Sequence, residues 1–247
     1  LIEARGLGHR FADGIWAFRS VDFEMRAGEL TVLAGKNGAG KTMLAKHLAG
    51  LLKPTEGRVL IGGSDPDAIS GSLASRVGYV FQDALLQAVG DTVLDDALFG
   101  PTCIGLPRED ALARASEALA KCGLADKAEL FVHELSGGEL RRLAIAGVLA
   151  LGPRAMILDE PFANLDPSGV RSVLEIVMDL KRSGTSVLVV THEIEKVLGL
   201  ADAFVVMEAG GIALSGSPEA VLREGVESYG LRDPFRGRSS LSELSWL

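Results

Sequence analysis

Apolar and polar positions change rhythm several times along the chain, and each change marks an element. Residues 21–25 read Val-Asp-Phe-Glu-Met, and the stretch 1–34 is broken at Gly6, Gly8, Asp13-Gly14 and Ala27-Gly28. Alternation punctuated in this way predicts antiparallel strands joined by turns. Residues 30–34 form a short apolar run suited to a buried strand, and 43–49 reads as a helix. A turn at 53–57 leads to strand-like runs at 58–61 and 77–81. From Asp91 the rhythm becomes helical. Pro107, Glu109 and Asp110 suit a first helical turn, and Leu112, Ala115, Leu119 and Cys122 follow at helical spacing.

From about 153 strand and helix alternate again, at 155–158, 169–181, 186–190 and 203–207. Asp166 caps the helix at 169–181, Pro167 opens it, and Gly184 lies just past its end. Its Val170, Val173, Leu174, Val177 and Leu180 share one apolar face. The expected fold is α/β: a mainly parallel core sheet covered by helices, an antiparallel β subdomain, and an α-helical insert at about 83–150.

Composition narrows the class. A chain of 247 residues with 47% hydrophobic and 23% charged residues is an ordinary globular α/β domain, with or without a subdomain. The net charge of −8 argues against a nucleic-acid partner and requires positive potential to be concentrated wherever a polyanion binds. Cys103 and Cys122 show no metal-ligand spacing and read as buried or semi-buried thiols of a reducing compartment. The longest apolar run, 143–151, falls short of the roughly 18 residues that span a bilayer. No signal peptide is visible, so the expected location is cytoplasmic.

The chemistry concentrates in three segments. Residues 35–42 read Gly35, Lys36, Asn37, Gly38, Ala39, Gly40, Lys41 and Thr42, fitting the phosphate-binding pattern G-x-x-x-x-G-K-[ST]. The glycines let successive N–H groups turn inward as an anion nest, and the helix beginning near Met43 aims its positive end at the same place. Lys41 can meet the β- and γ-phosphates, and Thr42 can ligate Mg²⁺. Residues 156–160 are a buried-type strand ending in Asp159 and Glu160. Beside a phosphate loop, Asp159 can hold Mg²⁺ opposite Thr42, and Glu160 can polarise the attacking water. Residues 135–139 place Ser136, Gly137 and Gly138 before a helix at 139–150, a second helix N-terminus with bare N–H groups. One triphosphate does not need two such loops from one chain. They are expected to meet across a two-fold dimer, each ATP lying between loop 35–42 of one subunit and 135–139 of the other.

With these segments in order, the chain resembles an ATP-binding-cassette (ABC) ATPase over about residues 2–225. The resemblance makes 35–42 the Walker A loop, 135–139 the signature loop and 156–160 Walker B. Asn164-Leu165-Asp166 becomes the D-loop, with Asp166 at the nucleotide. Gln82 becomes the Q-loop glutamine that ligates Mg²⁺ and senses the partner. His192 becomes the switch histidine, contacting the γ-phosphate or orienting Glu160, and Phe11 stands in the region where the family stacks an aromatic on adenine, with Trp16 and Phe18 nearby as the other aromatics. Two departures are visible: Glu139 where Gln is commoner, and Ala163-Asn164 in a D-loop that often reads Ser-Ala.

Residues 91–101, 104–109 and 143–150 are similar to the energy-coupling-factor (ECF) ATPases of cobalt, nickel and vitamin importers. That similarity implies a second ATPase subunit, identical or related, and a groove near Gln82 for a helix of a transmembrane coupling protein. It also implies a substrate-binding membrane subunit, and a peripheral location on the cytoplasmic face of the membrane. Leu85-Leu86 precede Gln87 where the family often has acidic residues. A soluble ABC ATPase acting on DNA or the ribosome would carry long coiled-coil insertions or tandem cassettes, and a small-molecule kinase would lack a signature loop. The expected organisation is an ATPase domain over 1–226 and a tail over 227–247. That tail is either solvated or docked through Leu241, Leu244, Trp246 and Leu247.

Overall fold

The computed structural model describes residues 1–69, 72–232, 234 and 246–247. In chain order the first half contains β1 (Ile2–Arg10), β2 (Trp16–Met25), β3 (Leu30–Gly35), α1 (Lys41–Leu48), β4 (Glu56–Ile61), β5 (Val77–Val80), α2 (Val93–Cys103) and α3 (Arg108–Lys121). The second half contains α4 (Gly137–Leu149), β6 (Ala155–Asp159), α5 (Pro167–Arg182), β7 (Ser186–Val190), β8 (Ala203–Glu208), β9 (Gly211–Gly216) and α6 (Pro218–Arg223).

Two sheets result. β2-β1-β4 is antiparallel, and β5-β6-β7-β3-β8-β9 is parallel except for its last pair, β8 with β9. The central strands are buried along their whole length, as expected when both faces of a parallel sheet are covered. Their side chains divide between two cores. Val32, Met156, Leu158, Val187, Val189 and Phe204 face the layer of α2–α5. Leu33, Ile157, Leu188, Val190, Val205 and Met207 face α1 and the antiparallel sheet.

Helix ends follow the local chemistry. Asp166 accepts from the Gly169 N–H at 2.8 Å with Pro167 in the first turn, as the sequence predicts for α5. Thr92 and Asp95 close a capping box on α2. On α3 the buried face is Ala111, Ala115, Ala118 and Leu119, so the predicted apolar face is corrected at Leu112, which is exposed. Leu112 lies one position round the helix from the true stripe. Cys122 is buried, which pushes its thiol up to about 12, whereas Cys103 is exposed rather than semi-buried. Near the C-terminus Val226, Leu231 and, in part, Tyr229 and Trp246 pack on the helix-side core. Leu241 and Leu244, assigned to a docking tail, lie outside the described residues.

Candidate nucleotide site

Strand order assembles the site. β6, β7 and β3 are neighbours, so their carboxyl ends bring Asp159, His192 and the loop after β3 to one edge of the sheet. Ligands of open α/β sheets bind at this end of the strands.

The loop after β3 depends on glycine at two points. Gly35 has φ +147°, and a Cβ there would stand 2.2 Å from the Met207 carbonyl oxygen. Gly40, with φ +100°, would place a Cβ 2.8 Å from the Ala17 oxygen. Between them Lys36, Asn37 and Gly38 are exposed and Ala39 is buried; Met43, on α1, is half-buried. Lys36 reaches back to the Ser228 carbonyl at 3.4 Å, which joins the C-terminal turn to the loop. Lys41 is buried, and its Nζ donates to the carbonyls of Gly35 (2.8 Å) and Lys36 (3.1 Å). Burial lowers its pKa, against the opposing pull of Glu160 and Asp159.

Asp159 is also buried. Its Oδ1 accepts from Thr42 Oγ1 at 3.2 Å and its Oδ2 from the Tyr79 hydroxyl at 2.8 Å. Burial raises the Asp159 pKa, and the two hydrogen bonds only partly offset it. Two hard oxygens side by side, one of them this buried anion, suit a small divalent cation that completes its shell with water and phosphate oxygens.

Glu160 is held in a left-handed conformation, φ +47°, with its N–H donating to the Val190 carbonyl at 2.8 Å. Thr191 Oγ1 donates to its Oε2 at 3.1 Å, and His192 Nδ1 lies 2.9 Å from its Oε1. A carboxylate only accepts, so Nδ1 carries the proton and Nε2 stays available. A strained, non-glycine backbone held from three sides fixes where this carboxylate sits.

The second loop differs from its sequence reading in one respect. Ser136 N–H and Oγ both donate to Glu139 Oε2, at 2.8 and 2.7 Å, and the Glu139 N–H approaches Ser136 Oγ at 3.4 Å. The N–H groups expected to be bare are therefore engaged at Ser136 and Glu139 by a capping box, because a Glu three residues after Ser folds back onto the cap. Glu139 also pairs with Lys127, and these contacts pull its pKa down to about 2. Ser136, Gly137, Gly138, Asn164 and Asp166 line one concavity of about 410 Å³. Among the described residues no hydrogen bond joins 135–139 to 35–42.

Three other predicted residues have distinct settings. Both carboxylate oxygens of Asp166 serve the α5 cap, accepting from Gly169 N–H and, at 2.9 Å, from Ser168 Oγ. Phe11 is 42% exposed at the β1–β2 turn, edge-on to His9. Gln82 is exposed, and its backbone carbonyl accepts from Arg141 at 2.6 Å while Phe81's accepts from the same guanidinium at 2.9 Å. Arg141 Nε is the one buried side-chain polar atom without a partner among the described residues. Sequence reasoning passed over Tyr79, Thr191 and Arg141. A Tyr within an otherwise aliphatic buried strand was the one available signal, since a buried phenol needs a partner. A cavity of about 700 Å³ between α3, α4 and α5 touches none of these groups.

Fold and site together define a phosphate-loop nucleoside triphosphatase with an added helical layer. Residues 18–163 match the protein family described as ABC transporter. The energy-coupling factor transporter ATP-binding protein EcfA of Methanosphaera stadtmanae is 37% identical over 243 residues, covering 96% of this chain and 87% of that protein. Among solved structures, cbiO1 of Clostridium perfringens, part of the ABC transporter complex cbiONQ, has a TM-score of 0.82 at 33% identity, covering 96% of each chain. A dimeric ATP-binding cassette in a post-hydrolysis state with ADP and Pi has a TM-score of 0.79 at 25% identity, covering 88% of this chain and 99% of the other. The chain belongs to the ABC transporter family, as an ATP-binding and ATP-hydrolysing cassette.

Proposed function

We propose that this chain is the ATPase subunit of an ECF-type importer, converting ATP binding and hydrolysis into uptake of a micronutrient such as a metal ion or vitamin. The observation that carries the reading is the meeting of Lys41, Thr42, Asp159, Glu160 and His192 at one edge of the sheet, where Thr42 is bonded to Asp159, His192 to Glu160, and Lys41 to the loop's own carbonyls. The backbone of 35–42 and the N-terminus of α1 cradle the phosphates of ATP, Lys41 meets the β- and γ-phosphates, and Phe11 stacks on adenine. Thr42, Asp159 and the Gln82 side chain would hold Mg²⁺, which supplies charge neutralisation on the phosphate oxygens. Glu160 orients and polarises the attacking water. His192, fixed through Nδ1, offers Nε2 to the γ-phosphate.

Ser136, Gly137 and Gly138 act on the ATP of the second subunit, with Asp166 beside them at the same interface. Two observations support this. The loop makes no hydrogen bond to its own phosphate loop, and a structural relative is a dimer with ADP and Pi. ATP then favours the closed pair, and hydrolysis removes that preference, which is the differential affinity needed to move a partner.

Phe81, Leu85, Leu86, Val89 and Phe99 are exposed along the segment after β5 and on α2. Leu86, at 83% exposed, is an apolar side chain without cover. These residues offer the surface on which a helix of a transmembrane coupling protein rests, and a substrate-binding membrane subunit completes the assembly. No helix among the described residues is long and apolar enough to cross a membrane; in this proposal that coupling protein holds the chain at the cytoplasmic face. Purifying the tagged chain from native membranes tests the reading. Recovery of a transmembrane coupling protein with a solute-binding subunit is expected; recovery of ribosomal or DNA-repair components instead would contradict it.

A further inference from the structure

Two histidines outside the proposed catalytic group connect the phosphate-loop helix to the base end of the site. His47 is fully buried in the last turn of α1, six residues after Lys41, and His9 lies half-buried on β1. His47 Nδ1 is 2.9 Å from the Leu52 carbonyl oxygen, and its Nε2 is 3.0 Å from His9 Nδ1. A carbonyl only accepts, so His47 Nδ1 bears the proton. Burial pulls the His47 pKa down to about 4, leaving the ring neutral and its Nε2 an acceptor. His9 Nδ1–H therefore donates to it. One backbone carbonyl fixes the tautomers of both rings.

The contact continues to Phe11. Its ring stands edge-on to His9, with centroids 5.1 Å apart and an interplanar angle of 85°. Phe18 closes the other side of His47 edge-on, at 5.5 Å and 88°. Phe11 is otherwise fixed by its backbone, accepting from the Gly14 N–H and donating to the Ile15 carbonyl. Those bonds hold the turn but leave the ring to rotate. Among the described residues His9 is the aromatic ring in contact with it.

We infer that His47 and His9 are positioning residues for the nucleotide base: they carry the placement of α1 to the Phe11 ring, so that phosphate grip and base stacking are set by one helix. The inference rests on Phe11 being the adenine platform. Lys41 and Thr42 open α1 and His47 closes it, so a shift of the helix when phosphates enter its N-terminus also moves the base platform.

Calorimetric titration of the full chain with Mg-ATP and with Mg-tripolyphosphate, which lacks a base, tests both claims separately. Phe11→Ala is expected to weaken ATP binding about fivefold, the size of one stacking contact, and to leave tripolyphosphate unchanged. His47→Leu, similar in volume, is expected to give the same selective loss. His47→Gln keeps an acceptor near the Nε2 position for the His9 N–H and is expected to restore ATP binding. Should His47→Leu weaken both ligands equally, weaken neither, or behave like His47→Gln, the relay is overturned while the role of Phe11 stands. Full ATP affinity in Phe11→Ala would remove the platform and the relay with it.

Discussion

His192 donates from Nδ1 to Glu160 Oε1 across 2.9 Å, joining the end of β7 to the end of β6. The histidine is 54% exposed at its side chain and the glutamate 10%, so the pair has one end in the protein and one at the nucleotide edge. That geometry separates binding from chemistry. Glu160→Gln keeps one oxygen to accept from His192 Nδ1 and an amide NH2 that can donate to the Thr191 hydroxyl, but loses the basic carboxylate. ATP affinity is expected to be retained while kcat falls about a hundredfold or more. Equilibrium ATP binding and single-turnover hydrolysis check both halves, and normal turnover would remove Glu160 from its role.

Tyr79 makes a second kind of claim. Its hydroxyl is the partner of Asp159 Oδ2, and both groups are buried. Burial and the neighbouring carboxylate raise the Tyr79 pKa, so the phenol stays protonated and remains a donor. Tyr79→Phe leaves a buried carboxylate oxygen unpaired and is expected to destabilise the nucleotide-free protein by about 1–3 kcal/mol. Urea unfolding of the two proteins measures it; equal midpoints would show that solvent replaces the phenol.

Glu139 gives a pH dependence with a definite sign. Its pKa falls from 4.5 to about 2 in the folded protein, first through Lys127 and then through Ser136. A depressed folded pKa gives stability that is present above the unfolded value and is lost as pH falls toward the folded one. Glu139→Gln keeps the capping box but not the charge. The wild type is therefore expected to unfold at the higher temperature near pH 7, with the gap closing between about pH 4.5 and about pH 2. Melting curves of both proteins across that range decide it, and a constant gap would contradict the assignment.

How far the sequence reached can be judged from single elements. The phosphate loop, the carboxylates after β6 and the cap of α5 were legible because each is local: a spacing, a strand ending in acids, an Asp-Pro start. β9 was missed, since Gly211, Ala213, Ser215 and Gly216 break its apolar pattern and it is a half-exposed edge strand. Sheet order was not legible, because parallel neighbours such as β3 and β7 pair residues 157 positions apart, as Leu30 with Val187, and nothing local pairs them. For the same reason Tyr79 and Arg141 could not be assigned. Their partners, Asp159 and the backbone at 81–82, are brought to them only by the folded sheet and by α4. The loop at 135–139 was legible as a helix start, but not the way Glu139 turns back to occupy Ser136.

In the proposed dimer, one subunit's Ser136 loop completes another's nucleotide pocket. This arrangement is tested most directly by placing a photo-crosslinking residue at position 136 of the Glu160→Gln protein, purified with its membrane partners and saturated with Mg-ATP. An ATP-dependent crosslink to the segment of the neighbouring ATPase subunit that corresponds to residues 35–42 is expected. Crosslinks confined to the same chain, or unchanged when ATP is withheld, would contradict it.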